Sequence, residues 1–232
     1  MKLFKVFSRK NLNGWGKPVA IRNLVPEWYR QGESTYTHPD DPNKEEHAGL
    51  KKCMPFMDTL VAGYAIVTPF DIYVTKDENG NPRFSWNGPD LLGGFVDERP
   101  ITLGATMPRP AGHYNNHLVW AGFWGWKTPK GWSSLVVHPL NRYDLPFTIS
   151  AGIVDSDTFH APGNIPFFLK QDFEGVIPAG TPIAQIIPIK RASWLMVDDT
   201  TGMADVEPVQ GTLVRKPDTL YKKIYWKRKD YR

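Results

Sequence analysis

A single cysteine, Cys53, in a chain of 232 residues excludes an internal disulfide and any paired-cysteine metal site. A reducing setting is the expectation that follows. No apolar run approaches the roughly 18–20 residues that a membrane-spanning helix needs. The first residues, Met1 to Phe7, lack the apolar core and small-residue cleavage site of a signal peptide, so a cytoplasmic chain is expected. Low-complexity tracts and internal repeats are also missing. Abundant instead are proline (21), glycine (20) and tryptophan (9), which cut the chain into short segments and load those segments with aromatic area.

With β-branched runs between these breakers, the composition predicts an all-β protein with long loops. The strand signals are Leu60–Val74, interrupted at Thr68-Pro69, then Phe84–Trp86, Ser133–His138, Phe147–Val154, Ile165–Leu169, Gly175–Ile177 and Ile183–Ile189. Short strands at this spacing suit a sandwich or barrel. Asn79-Gly80 marks a hairpin turn. The tail near Pro217–Lys229 is the one helix signal, with Leu220 and Ile224 on a shared face. Three regions follow: an N-terminal arm and polar loop over 1–57, a β domain over 58–214, and a basic, aromatic tail over 215–232. That tail carries eight Lys or Arg against two Asp, a net +6, so the remaining chain is about −2. Interleaved with Tyr221, Tyr225, Trp226 and Tyr231, it fits either a nucleic-acid contact or a solvated segment packed on protein.

Several constellations carry chemistry on paper. Trp120-Ala-Gly-Phe-Trp-Gly-Trp126 reads as buried core, interface or the wall of a pocket. His113 and His117 have metal-ligand spacing only on a helix, and Gly112 with Asn115-Asn116 points to a loop. Ser133 or Ser134 with His138 and Asp155 has the composition of a hydrolytic triad, but such sets are spatial rather than sequential. Asp155 and Asp157, two apart, would share a face on a continuing strand and hold a cation, repel each other, or cap a turn.

Two stretches stand out: Ala151-Gly-Ile-Val-Asp-Ser-Asp157 and Ile177-Pro-Ala-Gly-Thr-Pro-Ile-Ala-Gln-Ile-Ile-Pro-Ile189. Together they resemble the core signature of the trimeric dUTPase and dCTP-deaminase superfamily. The resemblance spans about residues 58–191. It implies a β-clip or barrel fold, a homotrimer, and nucleotide sites between subunits. It places Asp155 on the water-activating carboxylate, the candidate catalytic group, and a ligand pocket at Ser133, Ser134, Gly152 and Asp155.

The remaining family motifs depart from this chemistry. Ala62-Gly63-Tyr64-Ala65 keeps the backbone pattern of the first motif but has Ala65 where a metal-positioning acid is expected. Gly131-Trp132-Ser133-Ser134 has Trp132 in place of the phosphate-clamping arginine, with only Lys130 nearby. The family tyrosine falls at Thr158, with Phe159 one position late. The strand Asn164–Leu169 carries no acid for a deaminase general base. No Gly-rich phosphate-closing arm is present.

Across its length the chain is also similar to an uncharacterised family encoded in phage and bacterial genomes, through Lys52-Cys-Met-Pro-Phe-Met-Asp58 and His138-Pro-Leu-Asn-Arg142. The expectation is a non-catalytic, phage-associated protein that uses a trimeric dUTPase-like scaffold for assembly or binding, in the virion or the host cytoplasm. Its partners would be copies of itself, other virion proteins and, through the tail, nucleic acid, but no membrane. No cofactor and no metal site are expected. The alternative is a divergent nucleotide-binding protein, hydrolase or deaminase with an intersubunit site, for which magnesium would be required.

Overall fold

The computed structural model describes residues 2–8, 14–88, 94–99, 107–199, 202, 206, 208–209 and 221–232. They divide into two compact units, one of Met1–Leu24 with Gly63–Arg191 and the other of Val25–Ala62 with Ala192–Arg232. The first is built of antiparallel sheets, so the all-β expectation holds at that level. The segment expected as an N-terminal arm supplies two of its strands.

Strands are numbered in chain order. The largest sheet has five, ordered β13 (Gly152–Val154), β11 (Trp132–Val137), β16 (Pro182–Lys190), β5 (Tyr64–Val67) and β2 (Val19–Ala20). A four-stranded sheet runs β12 (Phe147–Ile149), β14 (Ile165–Leu169), β9 (Leu118–Trp120), β8 (Val96–Glu98). A three-stranded sheet joins β15 (Gly175–Ile177) to β6 (Ile72–Lys76) and β7 (Pro82–Trp86), the last two linked by the expected Asn79-Gly80 turn. β1 (Lys5–Ser8) pairs with β10 (Trp124–Lys127).

The apolar faces of these sheets meet in one core. Ile72, Trp120, Phe147, Phe167, Leu169 and Ile186 are fully buried in it. A smaller cluster gathers Ala65 and Val67 with Ile21. Gln185, wholly buried in β16, accepts a hydrogen bond from the Leu140 amide at 2.8 Å through Oε1. The donor lies in the turn that follows β11, and it satisfies a buried side-chain amide oxygen.

Two sequence expectations are corrected. The run expected as strand from Leu60 starts as helix: α2 covers Met54–Val61, with Pro55 in the first turn where its missing N–H costs nothing. The helix ends at Val61, and β5 begins just past Gly63. Phe147–Val154 is two strands in two sheets, because the Ser150 amide still bonds the Pro166 carbonyl of the four-stranded sheet while Gly152 already pairs with Val136 of the other. The aromatic stretch 118–126 likewise splits into β9 and β10 in different sheets.

The second unit contains α1 (Glu27–Gln31), the hairpin β3 (Thr35–Thr37) and β4 (Glu46–Ala48), and α2. Tyr29 stacks on Phe56 at 5.9 Å, joining the two helices. The expected tail helix is a single π-helical turn at Tyr221–Tyr225, and its earlier part, 217–220, lies outside the described residues. The indole N–H of Trp226 donates to both carboxylate oxygens of Asp58 on α2, at 3.1 and 3.0 Å, and Lys229 pairs with the same carboxylate. The tail is thus tied to its own unit. No helix among the described residues is long and apolar enough to cross a membrane.

Candidate functional site

The register of β11 against β16 brings the site together. Trp132 lies opposite Lys190 and Ser133 opposite Ile189, and the Arg191 amide bonds the Gly131 carbonyl at 2.9 Å. On its other side β11 pairs with β13, Ser134 opposite Val154, so the chain leaves β13 directly into Asp155. Two strands from distant parts of the sequence therefore deliver Arg191 and Asp155 to the same end of Ser133.

The Ser133 hydroxyl donates to Asp155 Oδ1 at 2.6 Å. Arg191 Nη1 donates to that same oxygen at 3.2 Å, to the Ser133 hydroxyl at 3.1 Å and to Asp157 Oδ1 at 2.8 Å. Its Nη2 takes the second oxygen of Asp157 at 2.5 Å, a bidentate clamp, and the Gly131 amide donates to that oxygen at 2.8 Å. Of the readings open for Asp155 and Asp157, the structure shows cation holding, and the cation is a guanidinium. The Arg191 hydrogen bonds, then that of Gly131, hold the Asp157 carboxyl well below the usual carboxylate range, while Asp157 raises Arg191.

Beneath this cluster runs a buried hydroxyl chain. Trp126 Nε1 lies 3.0 Å from Ser134 Oγ, which is 2.7 Å from Ser156 Oγ, which is 2.8 Å from Thr128 Oγ1, which is 2.8 Å from the Trp132 carbonyl. An indole N–H can only donate and a carbonyl can only accept. The proton order is therefore fixed from end to end: Trp126 to Ser134, Ser134 to Ser156, Ser156 to Thr128, Thr128 to Trp132. One turn of backbone is locked at both faces.

The four candidate ligand residues separate accordingly. Ser133 and Asp155 are in direct contact. Ser134 is fully buried and spends its hydroxyl in the chain below. Gly152 lines a cleft of about 230 Å³, bounded by β13 on one side and residues 159–166 on the other, with Trp126, Phe159, Ile165 and Pro166 among its mostly apolar walls. Asp155 is not among the residues lining it. The aromatic stretch serves two purposes: Trp120 is core and Trp126 is both cleft wall and head of the hydroxyl chain.

The paper triad does not assemble. His138 Nε2 meets the Arg142 carbonyl at 3.0 Å, and burial pushes its ring pKa down, whereas Ser133 reaches Asp155 with no histidine between. His113 is buried against Thr148 and the Ala111 carbonyl, and His117 packs on Phe168. Ala65, standing where an acid was expected, is a fully buried methyl in the smaller apolar cluster. Trp132 carries Lys2 over its ring at 3.9 Å. Arg191 is the residue that sequence reasoning missed. It lies two positions past the end of the conspicuous Ile177–Ile189 stretch, and only the β11–β16 register shows where it goes.

Acid should test the clamp directly. A carboxyl whose folded pKa is depressed stays unprotonated where the unfolded chain has already taken up a proton, so stability rises with pH through that window. The contribution of Asp157 is complete above the ordinary carboxylate value of about 4 and is lost as pH falls below it. Asp157→Asn should lower the melting midpoint at neutral pH by several degrees and flatten the fall below about pH 4, relative to the parent protein. Melting curves at stepped pH check this; parallel acid limbs would remove the clamp from the account.

No protein-family model matches the sequence, and no curated protein matches it.

Proposed function

We propose that this protein is a non-catalytic assembly protein, a phage-associated and virion- or capsid-linked component in which a dUTPase-like scaffold is used for self-association as a trimer. The observation that carries this reading is the run Trp194-Leu195-Met196-Val197, whose residues are 91, 88, 98 and 71 % exposed. Four consecutive large apolar side chains in water are costly, and such a patch ordinarily marks a surface that another chain covers. They sit in a segment without regular structure, 192–199, whose backbone has no sheet partner among the described residues.

The state of Asp155 supports the non-catalytic half. Its Oδ1 already accepts from a serine and an arginine of its own chain. That oxygen is taken up within the chain, and among the described residues no histidine or second acid hydrogen-bonds it as a partner for activating water. Arg191 is likewise committed to two carboxylates and leaves little positive field for a triphosphate. The basic tail, with Lys222, Lys223, Lys227 and Arg228 beyond the Asp58 anchor, supplies a surface for an anionic partner such as nucleic acid within the particle.

A second reading, a nucleotide-binding protein, draws on the apolar cleft beside β13, whose aromatic walls would accept a flat ring. Two measurements separate the readings. Light scattering at micromolar concentration should return a multiple of 26.4 kDa, with a trimer expected, and a clean monomer overturns the assembly reading. Melting with a panel of nucleotides and magnesium should show no shift. A rise with one nucleotide that Asp155→Asn abolishes establishes the second reading instead.

A further inference from the structure

We infer that the segment Trp194–Val197 of one copy adds as an antiparallel strand to the free edge of β13 in a second copy, with Trp194 and Met196 over its cleft. The inference rests on the assembly reading and gives it a site. β13 closes one edge of the five-stranded sheet and, among the described residues, pairs only with β11. Its central side chain, Ile153, is 67 % exposed, an apolar residue on an open strand edge. Such an edge offers unpaired amides and carbonyls to any extended chain, and side chains at alternate positions then provide the specificity.

The alternation matches. Side chains along a strand point to opposite faces in turn. Gly152 and Val154 line the cleft, and Ile153 lies on the other face. Setting Leu195 opposite Ile153 places two exposed aliphatic side chains in contact across the strands. An antiparallel register then puts Trp194 opposite Val154 and Met196 opposite Gly152, both over the cleft. A Cβ built on Gly152 meets nothing within 4 Å, so a neighbour's side chain has room to lie across it. Large side chains over an edge glycine recover the contact area that the glycine lacks.

Charge chooses the direction. Asp198 and Asp199 follow the apolar run, while Asp155 and Asp157 follow β13. Parallel addition would set the two acidic ends together; antiparallel addition sends them to opposite ends, and like charges across strands are unfavourable. Because the donor segment and the acceptor edge are different surfaces of the same chain, the contact is head-to-tail. It closes into a ring when the rotation per copy allows, and a rotation of about 120° gives the trimer of the proposed function.

The test is a charge-pair series read by light scattering and sedimentation, with melting curves confirming that each variant is folded. Both target side chains are exposed, so Ile153→Lys and Leu195→Glu should leave the melting midpoint near that of the parent. Each should weaken association by about tenfold or more, the scale of a 1.4 kcal/mol loss. The double variant, which brings opposite charges face to face in every contact, should recover a substantial part of it. If Leu195→Glu dissociates the assembly while Ile153→Lys leaves it intact, the segment docks elsewhere; the inference fails and the assembly reading stands. If the double variant is no better than the singles, the pairing of 195 with 153 is wrong. If the parent protein is a monomer, both fall together.

Discussion

Gly63→Ala is expected to abolish accumulation of folded protein. Gly63 has φ of +80°, in the left-handed region that costs a residue with a Cβ about 1–2 kcal/mol. The larger penalty is steric. A Cβ there would lie 2.1 Å from the Ile186 carbonyl oxygen, backbone of the strand at the centre of the main sheet. That carbonyl cannot retreat, because β16 is held by β11 on one side and β5 on the other. Gly63 also accepts the Ile21 amide at 3.2 Å, so rotating its peptide to relieve the clash costs a second contact. Against a total stability of about 5–15 kcal/mol, the combination should leave little native protein. Gly152→Ala, with open space around its Cβ, is the control and should express normally. Soluble yield and melting midpoint read the result; a Gly63→Ala protein that melts with the parent would contradict the approach of β16 to this turn.

Trp120→Ala should cost about 3–5 kcal/mol, the range for removing a large aromatic from a core. Trp120 has no exposed surface. Its ring stacks on Phe167 at 4.1 Å and 8°, meets Phe147 edge-on at 5.4 Å and touches Phe95 at 5.4 Å. One side chain therefore joins three others, and deletion leaves a cavity that rigid rings cannot collapse to fill. Trp120→Phe should be milder, because it keeps one ring against Phe167 and leaves a smaller cavity. The indole N–H of Trp120 has no hydrogen-bond partner among the described residues, so phenylalanine removes an unsatisfied donor as well as some volume. Urea unfolding should show the midpoint falling with slope unchanged for both variants. Equal losses for alanine and phenylalanine would mean that the nitrogen, not the ring, is what the core requires.

Much of the sheet was legible in the sequence because short apolar runs between prolines and glycines have few alternatives. Ile183–Ile189 and Ser133–His138 are strands within a residue or two of expectation. The helix over Met54–Val61 was hidden because a valine, a leucine and a β-branched continuation look the same in either state, and the turn at Gly63 is a steric event with a strand far along the chain. The site shows the same division. Asp155 and Ser133 were visible as residues, and their contact follows from adjacent strands. Arg191 was not, since its partners lie 34 and 36 positions away and only strand register relates them. The missing arginine at Trp132 implied a site without a guanidinium, whereas the structure has one, turned inward on the carboxylates.

The order of strands in space also governs when the protein is able to fold during translation. β5 pairs with β16, Tyr64 opposite Ile186, and β1 pairs with β10, Lys5 opposite Lys127, each across 122 positions. The middle strand of the main sheet is thus the last of its five to leave the ribosome. Until then β5 and β11 have no strand between them, and Leu135, Val136 and Ile66 wait with open edges. Loop closure of this length is entropically slow. Before β16 emerges, a nascent chain of this protein can form only two separate pairs of its main sheet, β2 with β5 and β11 with β13, and the arrival of β16 joins them in one step.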